Sequence, residues 1–133
     1  MFWKNDELTE LAMEIVKEEP IFAPIIETGT TFVVCKCDKA KHNRTMTTYG
    51  DCRSVPEAFR WCVPYEFQIT IYEPNVADLS EEQMRILLFH ELLHIGVEMG
   101  NGAPKKFIRS HDVEDFKCII AKYGTEWGVP GER

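Results

Sequence analysis

The sequence predicts a small α+β domain, in which a short mixed sheet packs on a buried helix that carries an HExxH motif and on a C-terminal helix. Three observations support this class: an amphipathic N-terminal segment, two segments with strand-like alternation, and a strongly apolar helical segment that contains two histidines. A chain of 133 residues is long enough for one modest core but not for two. We therefore expect one domain over residues 1–133.

The first predicted element is an amphipathic helix over residues 6–19. Its apolar side chains recur at helical spacing, at Leu8, Leu11, Ala12, Ile15 and Val16. Pro20 then removes a backbone donor and ends the helix. We expect the apolar face of this helix to cover the sheet.

Two strands are predicted, over residues 31–37 and 65–72. The second alternates cleanly, with Phe67, Ile69 and Ile71 on one face and polar residues between them, which is typical of a half-exposed strand. Because this strand precedes the helix that carries the HExxH motif, we expect it to form the edge along which an extended peptide pairs. Residues 39–64 are rich in polar residues and helix breakers, with a short helix predicted around residues 56–62.

The next helix begins at Ser80, because Ser80-Glu81-Glu82-Gln83 is a capping box and Leu79 and Met84 are placed as its hydrophobic staple. From residue 84 to residue 97 the segment is apolar on nearly every side, which indicates a helix buried in the core. The glycines at positions 96 and 100 predict its end.

This helix contains the motif His90-Glu91-Leu92-Leu93-His94. Helical residues four apart lie one above the other, so both imidazoles can bind one metal ion. Glu91 points about 100° away around the axis, where its carboxylate can reach a metal-bound water. The motif thus predicts a metal-assisted hydrolase. The alternative is a pair of core histidines that donate hydrogen bonds to backbone carbonyls.

A catalytic zinc site takes three protein ligands, so a third must be found. His111 is the stronger candidate, because it follows a turn-rich stretch and begins a predicted helix with Val113, Phe116, Ile120 and Tyr123 at helical spacing. The alternative is that His111 is an exposed first-turn residue. Glu98, on the extended first helix, would lie about 80° from His90 and 40° from His94 around the axis, which makes it a poorer ligand.

The motif at 90–94, the segment His-Asp-Val-Glu-Asp-Phe at 111–116 and Lys122-Tyr123-Gly124 with Trp127 resemble the phage metallopeptidase family. The resemblance covers about residues 65–127. It implies a zincin-like fold, one catalytic zinc ion held by His90, His94 and His111, and Glu91 as general base.

More distantly, the chain is similar to SprT-like zinc peptidases, whose third ligand is also a histidine. It departs from their pattern with Asp112 in place of the usual glycine, with Phe116 one position later, and without a cysteine-rich ribbon. DNA-linked proteolysis is therefore not implied.

The composition excludes several classes of protein. A net charge of −7 and a pI near 5.1 disfavour a protein that depends on contacts with nucleic acid phosphates. No apolar run approaches the roughly 20 residues of a membrane span, and the N-terminus lacks a signal-peptide pattern. We therefore expect a cytoplasmic protein.

The five cysteines, an odd number, suit a reducing compartment better than a disulfide framework. Cys35, Cys37, Cys52 and Cys62 could together hold a second, structural zinc ion. A Cys-x-Cys pair in a strand directs both side chains to one face, unlike the tight turns of zinc knuckles. The spacing therefore favours independent reduced thiols.

The sequence favours a zinc-dependent hydrolase, with a protein or peptide as the preferred substrate, in which Glu91 accepts the proton of the attacking water. Tyr72, Arg109 and Tyr123 are candidates for stabilising the oxyanion, and the sequence does not choose among them. One alternative is a non-catalytic metal-binding phage or prophage protein that acts by binding a host factor. Another is a zinc enzyme that hydrolyses a non-peptide amide.

Overall fold

A computed structural model of the chain describes residues 1–43 and 46–109. The predicted helix over 113–124, and with it His111 and Tyr123, lies outside the described residues.

A four-stranded mixed sheet forms the centre of the described fold. Its strands are β1 (Phe2–Lys4), β2 (Phe32–Cys37), β5 (Gly50–Ser54) and β6 (Phe67–Tyr72), in the order β1-β2-β6-β5. The two central strands β2 and β6 are parallel, and each outer strand is antiparallel to its neighbour. The predicted α+β class with a short mixed sheet is confirmed.

Helices cover one face of this sheet. Helix α1 (Asp6–Glu18) is capped by Asn5, whose side-chain oxygen accepts a hydrogen bond from the N–H of Leu8 at 2.8 Å. Its apolar face is buried at Ala12, Ile15 and Val16, as predicted. The 3-10 helix Pro20–Phe22 and helix α2 (Ala23–Glu27) follow, and together with helix α4 (Glu81–Leu92) they complete this layer.

The two predicted strands are present as β2 and β6, but the prediction that the second is an exposed edge is wrong. Strand β6 lies between β2 and β5, so both of its backbone edges are paired. The prediction that it is half-exposed is also wrong, because Thr70 and Tyr72, on the face opposite to Ile69 and Ile71, are only 1% and 4% exposed. The edge strands are β1 and β5, and β5 lies in the stretch that is rich in polar residues and helix breakers.

Helix α4 (Glu81–Leu92) begins as predicted, with the capping box of Ser80 and Gln83 formed in both directions. Its predicted end is wrong, because the helix stops at Leu92 and residues 95–98 form a strand. Strand β7 (Ile95–Glu98) pairs with β8 (Lys105–Ile108) as an antiparallel hairpin, in which the Phe107 ring packs against Gly96. A β-carbon at position 96 would lie 2.5 Å from this ring, so the glycine permits the close pairing.

Shorter elements complete the described part of the chain: β3 (His42–Asn43), β4 (Met46–Thr47), the 3-10 helix Glu57–Phe59 and α3 (Glu73–Val76). The 3-10 helix lies where a short helix was predicted. Among residues 1–43 and 46–109, no helix has the length and apolar content that crossing a bilayer requires.

Candidate metal centre

The two histidines of the motif lie at the end of α4, and they still face one another. His90 belongs to the last turn of the helix, and His94 lies two residues beyond its end. The N–H of His94 donates to the carbonyl of Glu91 at 3.1 Å, which tightens the final turn without reversing it. As a result, the imidazole centroids are 5.4 Å apart, so the pairing expected of a longer helix is preserved.

The His94 ring is held by the backbone of Arg109. Its Nδ1 lies 2.6 Å from the Arg109 carbonyl oxygen, and the Arg109 N–H donates to the His94 carbonyl, also at 2.6 Å. A carbonyl oxygen only accepts hydrogen bonds, so Nδ1 carries the proton, and in the neutral ring Nε2 keeps its lone pair. This arrangement orients a histidine ligand and raises its basicity in metal sites.

The side chain of Glu91, a residue of α4, lies against the edge strand β5, and Glu91 is 4% exposed. Gly50 lies beside it: a β-carbon there would lie 3.5 Å from Glu91 Oε2, an ordinary contact, but only 3.0 Å from the carbonyl oxygen of Thr70. Burial, reinforced by the negative charge of Asp51, raises the pKa of Glu91 to about 8. A carboxylate in this position is costly unless a cation or a proton neutralises it.

The chemistry of these side chains fits a divalent metal ion. Two imidazoles, one with a defined tautomer, adjoin a buried carboxylate, and imidazole nitrogen is a preferred zinc ligand. The described residues do not bring a third His, Cys, Asp or Glu close enough to complete a group of three. His111, the sequence-predicted third ligand, lies outside them.

Comparison with known families gives a direct match. The model of a family described as "Putative phage metallopeptidase" matches residues 1–130. The chain belongs to this family. A metallopeptidase family implies a metal cofactor and a protein or peptide substrate. No curated protein and no solved structure matches the chain.

Within this phage metallopeptidase fold, the sequence had not indicated the part that β5 plays in the site. Cys52 points to the same side as Gly50, and burial together with the charge of Glu91 raises the pKa of its thiol. Asp51 points to the opposite side, where its Oδ2 accepts hydrogen bonds from Tyr72 at 2.6 Å and Lys41 at 3.0 Å. The alternation of polar and small residues over 50–53 was the available signal, but it is short.

Two other candidates lie apart from the pair of histidines. Glu98 is exposed at the end of β7, opposite Lys105, so the prediction that it shares a helix with His90 is wrong. The Tyr72 hydroxyl donates to Asp51 on the opposite face of β5, which leaves it poorly placed to stabilise an oxyanion. The third candidate, Arg109, is adjacent to His94 through its backbone. Its guanidinium donates to the Leu93 carbonyl at 3.3 Å.

The cysteines do not form a second metal cluster in the described part of the chain. Cys35 and Cys37 lie on one face of β2, as the Cys-x-Cys spacing predicted. Cys52 points to the helix-covered face of the sheet, and Cys62 is exposed in the loop after β5. The four sulfur atoms therefore do not converge.

Proposed function

We propose that this chain is a zinc-dependent peptidase, in which His90, His94 and His111 hold the zinc ion and Glu91 is the general base. One observation carries the proposal: a buried carboxylate adjoins two facing imidazoles, one of which has Nδ1 committed to a backbone carbonyl. A purely structural site has no need of that carboxylate.

The position of Arg109 favours His111 as the third ligand. Two hydrogen bonds fix the Arg109 backbone against His94. His111 follows Arg109 by two residues in the sequence, which supports the proposal that it is the third ligand. Glu98 is exposed and lies near the tip of the β7–β8 hairpin, whereas Arg109 lies at its base. This position disfavours Glu98 as the third ligand.

The reaction we propose is hydrolysis of a peptide bond. When bound, zinc lowers the pKa of a coordinated water toward 7 and polarises the scissile carbonyl. Glu91 accepts the proton of the attacking water and transfers it to the leaving amine. Arg109 is the candidate oxyanion donor among the described residues.

The substrate is proposed to bind along the outer edge of β5. Backbone hydrogen bonds continue the β5–β6 pairing at both ends: the Tyr49 carbonyl accepts from the Tyr72 N–H at 3.0 Å, and the Val55 N–H donates to the Glu66 carbonyl, just before β6, at 2.8 Å. In an antiparallel pair these groups alternate, so Gly50, Cys52 and Ser54 direct their N–H and C=O groups outward. Strand β8 approaches β5, but in the described part of the chain it pairs only with β7.

This edge passes directly beside the proposed base, because Gly50 adjoins Glu91. An extended peptide paired with it would present a backbone carbonyl at the metal centre. Together with a helix-borne motif beneath a mixed sheet, this arrangement leads us to propose a zincin-like packing in a single domain.

The decisive experiment compares wild type with Glu91→Gln for zinc content and for cleavage of a degenerate peptide library. The glutamine keeps size and hydrogen-bonding capacity but cannot accept the proton, so zinc should stay bound while cleavage falls by roughly a hundred- to ten-thousand-fold. Glu82→Gln, an exposed glutamate on the same helix, is the matched control and should cleave as wild type does. Equal cleavage by Glu91→Gln would refute the role of Glu91, and cleavage by none of the proteins with any metal would favour the binding-protein alternative.

A further inference from the structure

Two large aromatic side chains are exposed in the loop that joins β5 to β6. Trp61 is 86% exposed and Phe59 is 56% exposed. Tryptophan is one of the residues enriched among side chains that dominate binding energy at protein interfaces, and large exposed apolar surface marks binding sites.

The loop that presents them has a defined backbone. The Phe59 N–H donates to the Pro56 carbonyl at 2.9 Å, and the Phe59 carbonyl accepts from the N–H groups of Cys62 at 3.1 Å and Val63 at 2.9 Å. Arg60 Nε donates to the Val55 carbonyl at 3.4 Å, which ties the loop to the end of the edge strand. The aromatic side chains are therefore held at the Ser54 end of β5.

The same strand connects these aromatics to the proposed catalytic base. Glu91 adjoins Gly50 at the start of β5, and the outward backbone groups of Gly50, Cys52 and Ser54 lead from there toward the loop. Four residues of strand span roughly 14 Å. A peptide that pairs along the whole edge reaches the loop with a side chain about five to seven residues from the bond at Glu91.

The direction of the peptide follows from strand pairing. Antiparallel pairs are slightly more stable per residue than parallel ones. Because β5 runs from the Glu91 end toward the loop, an antiparallel peptide runs from the loop toward Glu91. The residue that meets the loop then lies N-terminal to the scissile bond.

We propose that Phe59 and Trp61 form a subsite for an apolar side chain of an extended protein substrate, about five to seven residues N-terminal to the scissile bond. The proposal rests on the proposed peptidase function, and its occupant is the substrate because the loop follows directly on β5, whose outward backbone groups are the proposed binding edge. It predicts that this enzyme prefers long, unfolded or extended segments over short peptides.

The test uses a set of peptides of about 16 residues, long enough to span β5 and the loop. Each peptide consists of small polar residues with a single leucine, and the position of the leucine differs from one peptide to the next. In wild type, a leucine five to seven residues N-terminal to the cleaved bond should raise kcat/KM about tenfold over the same leucine on the C-terminal side. Trp61→Ala and Phe59→Ala should remove this preference, while Trp61→Phe should keep most of it. Phe2→Ala is the matched control, because Phe2 is 58% exposed on the opposite edge strand, and it should leave the preference unchanged.

A second readout separates this inference from the peptidase function. The same peptides, labelled with a fluorophore, are titrated against the Glu91→Gln protein by anisotropy, with and without Trp61→Ala. If wild type cleaves nothing but binding depends on Trp61 and on the leucine position, the peptidase proposal fails and the subsite stands. If cleavage occurs with no dependence on Trp61, or if no peptide binds, the subsite is overturned.

Other occupants give distinct results. If a second copy covers the aromatics, sedimentation will show a concentration-dependent dimer that Trp61→Ala abolishes, and the substrate proposal is overturned. Acrylamide quenching of the free protein, compared with Trp61→Phe, should show an accessible indole. A shielded indole would mean that another part of the chain covers it, and would likewise overturn the proposal.

Discussion

Replacing Glu91 with glutamine should stabilise the metal-free protein, and the gain should increase with pH. The pKa of Glu91 is about 8 in the folded protein, against an ordinary value of 4.5. Below pH 4.5 the carboxyl group is protonated in both states, and its burial carries no ionic cost. Between pH 4.5 and 8 the unfolded chain loses the proton while the folded chain keeps it, so the free energy of unfolding falls as pH rises.

The size of the effect follows from the same shift. At 1.36 kcal/mol per pKa unit, the full difference amounts to roughly 5 kcal/mol above pH 8. Structural relaxation and water penetration lower such costs in real proteins, so we expect Glu91→Gln to gain about 2 to 3 kcal/mol at pH 8.5 relative to pH 4.5.

Urea unfolding in the presence of a chelator, at pH 4.5, 7 and 8.5, measures this difference directly. Glu82→Gln, exposed on the same helix, should show almost no pH-dependent gain. The same titration with zinc present should reduce or reverse the gain, because a nearby cation favours the ionised carboxylate. A gain in the Glu91 variant that does not change with pH, or a loss of stability at pH 8.5, would refute the reasoning.

Three further predictions concern the metal centre. Elemental analysis should find about one zinc per chain in wild type and almost none in His94→Ala, and unchanged zinc in that variant would contradict the ligand assignment. His111→Ala should weaken zinc affinity at least as strongly as the roughly 10- to 100-fold loss typical of a supporting residue, while Glu98→Ala changes it little in a competition titration; the reverse ranking would assign the third ligand to Glu98. Gly50→Ala should cost about 1 to 3 kcal/mol in chemical denaturation, because its β-carbon would lie 3.0 Å from a β6 carbonyl oxygen. Gly100→Ala, where a β-carbon meets open space, should cost far less.

Elements with a local signal in the sequence were predictable. The capping box at Ser80, the apolar face of α1 with Pro20 after it, and the alternation of β6 each depend on residues that are close in the chain. The end of α4 was not predictable in this way. The apolar residues at positions 95 and 97 continue a helical pattern, and only pairing with residues 105–108 makes them a strand.

In the candidate site, too, features that depend on residues close in the sequence were predictable, and features that depend on distant residues were not. The spacing of His90 and His94 predicted that their rings would face each other, and the rings are 5.4 Å apart. The contribution of β5 had only a weak signal, the short alternation over residues 50–53, and Gly50 and Cys52 become relevant only when the sheet places them beside Glu91. The role of the Arg109 carbonyl was hidden for the same reason, because any residue type supplies a carbonyl.

The hairpin between His94 and Arg109 also determines where residues can be inserted or deleted without moving the Arg109 carbonyl. Pairing of Ile95 with Ile108 fixes the register, so residues added at the tip, near Gly102 with its φ of +100°, leave the Arg109 carbonyl in place. A single-residue deletion within β8 would instead exchange the two faces of the strand and withdraw that carbonyl from the imidazole. The tip is thus a natural point for inserting a reporter peptide or an affinity tag, close to the candidate metal centre in sequence yet separated from it by strand pairing.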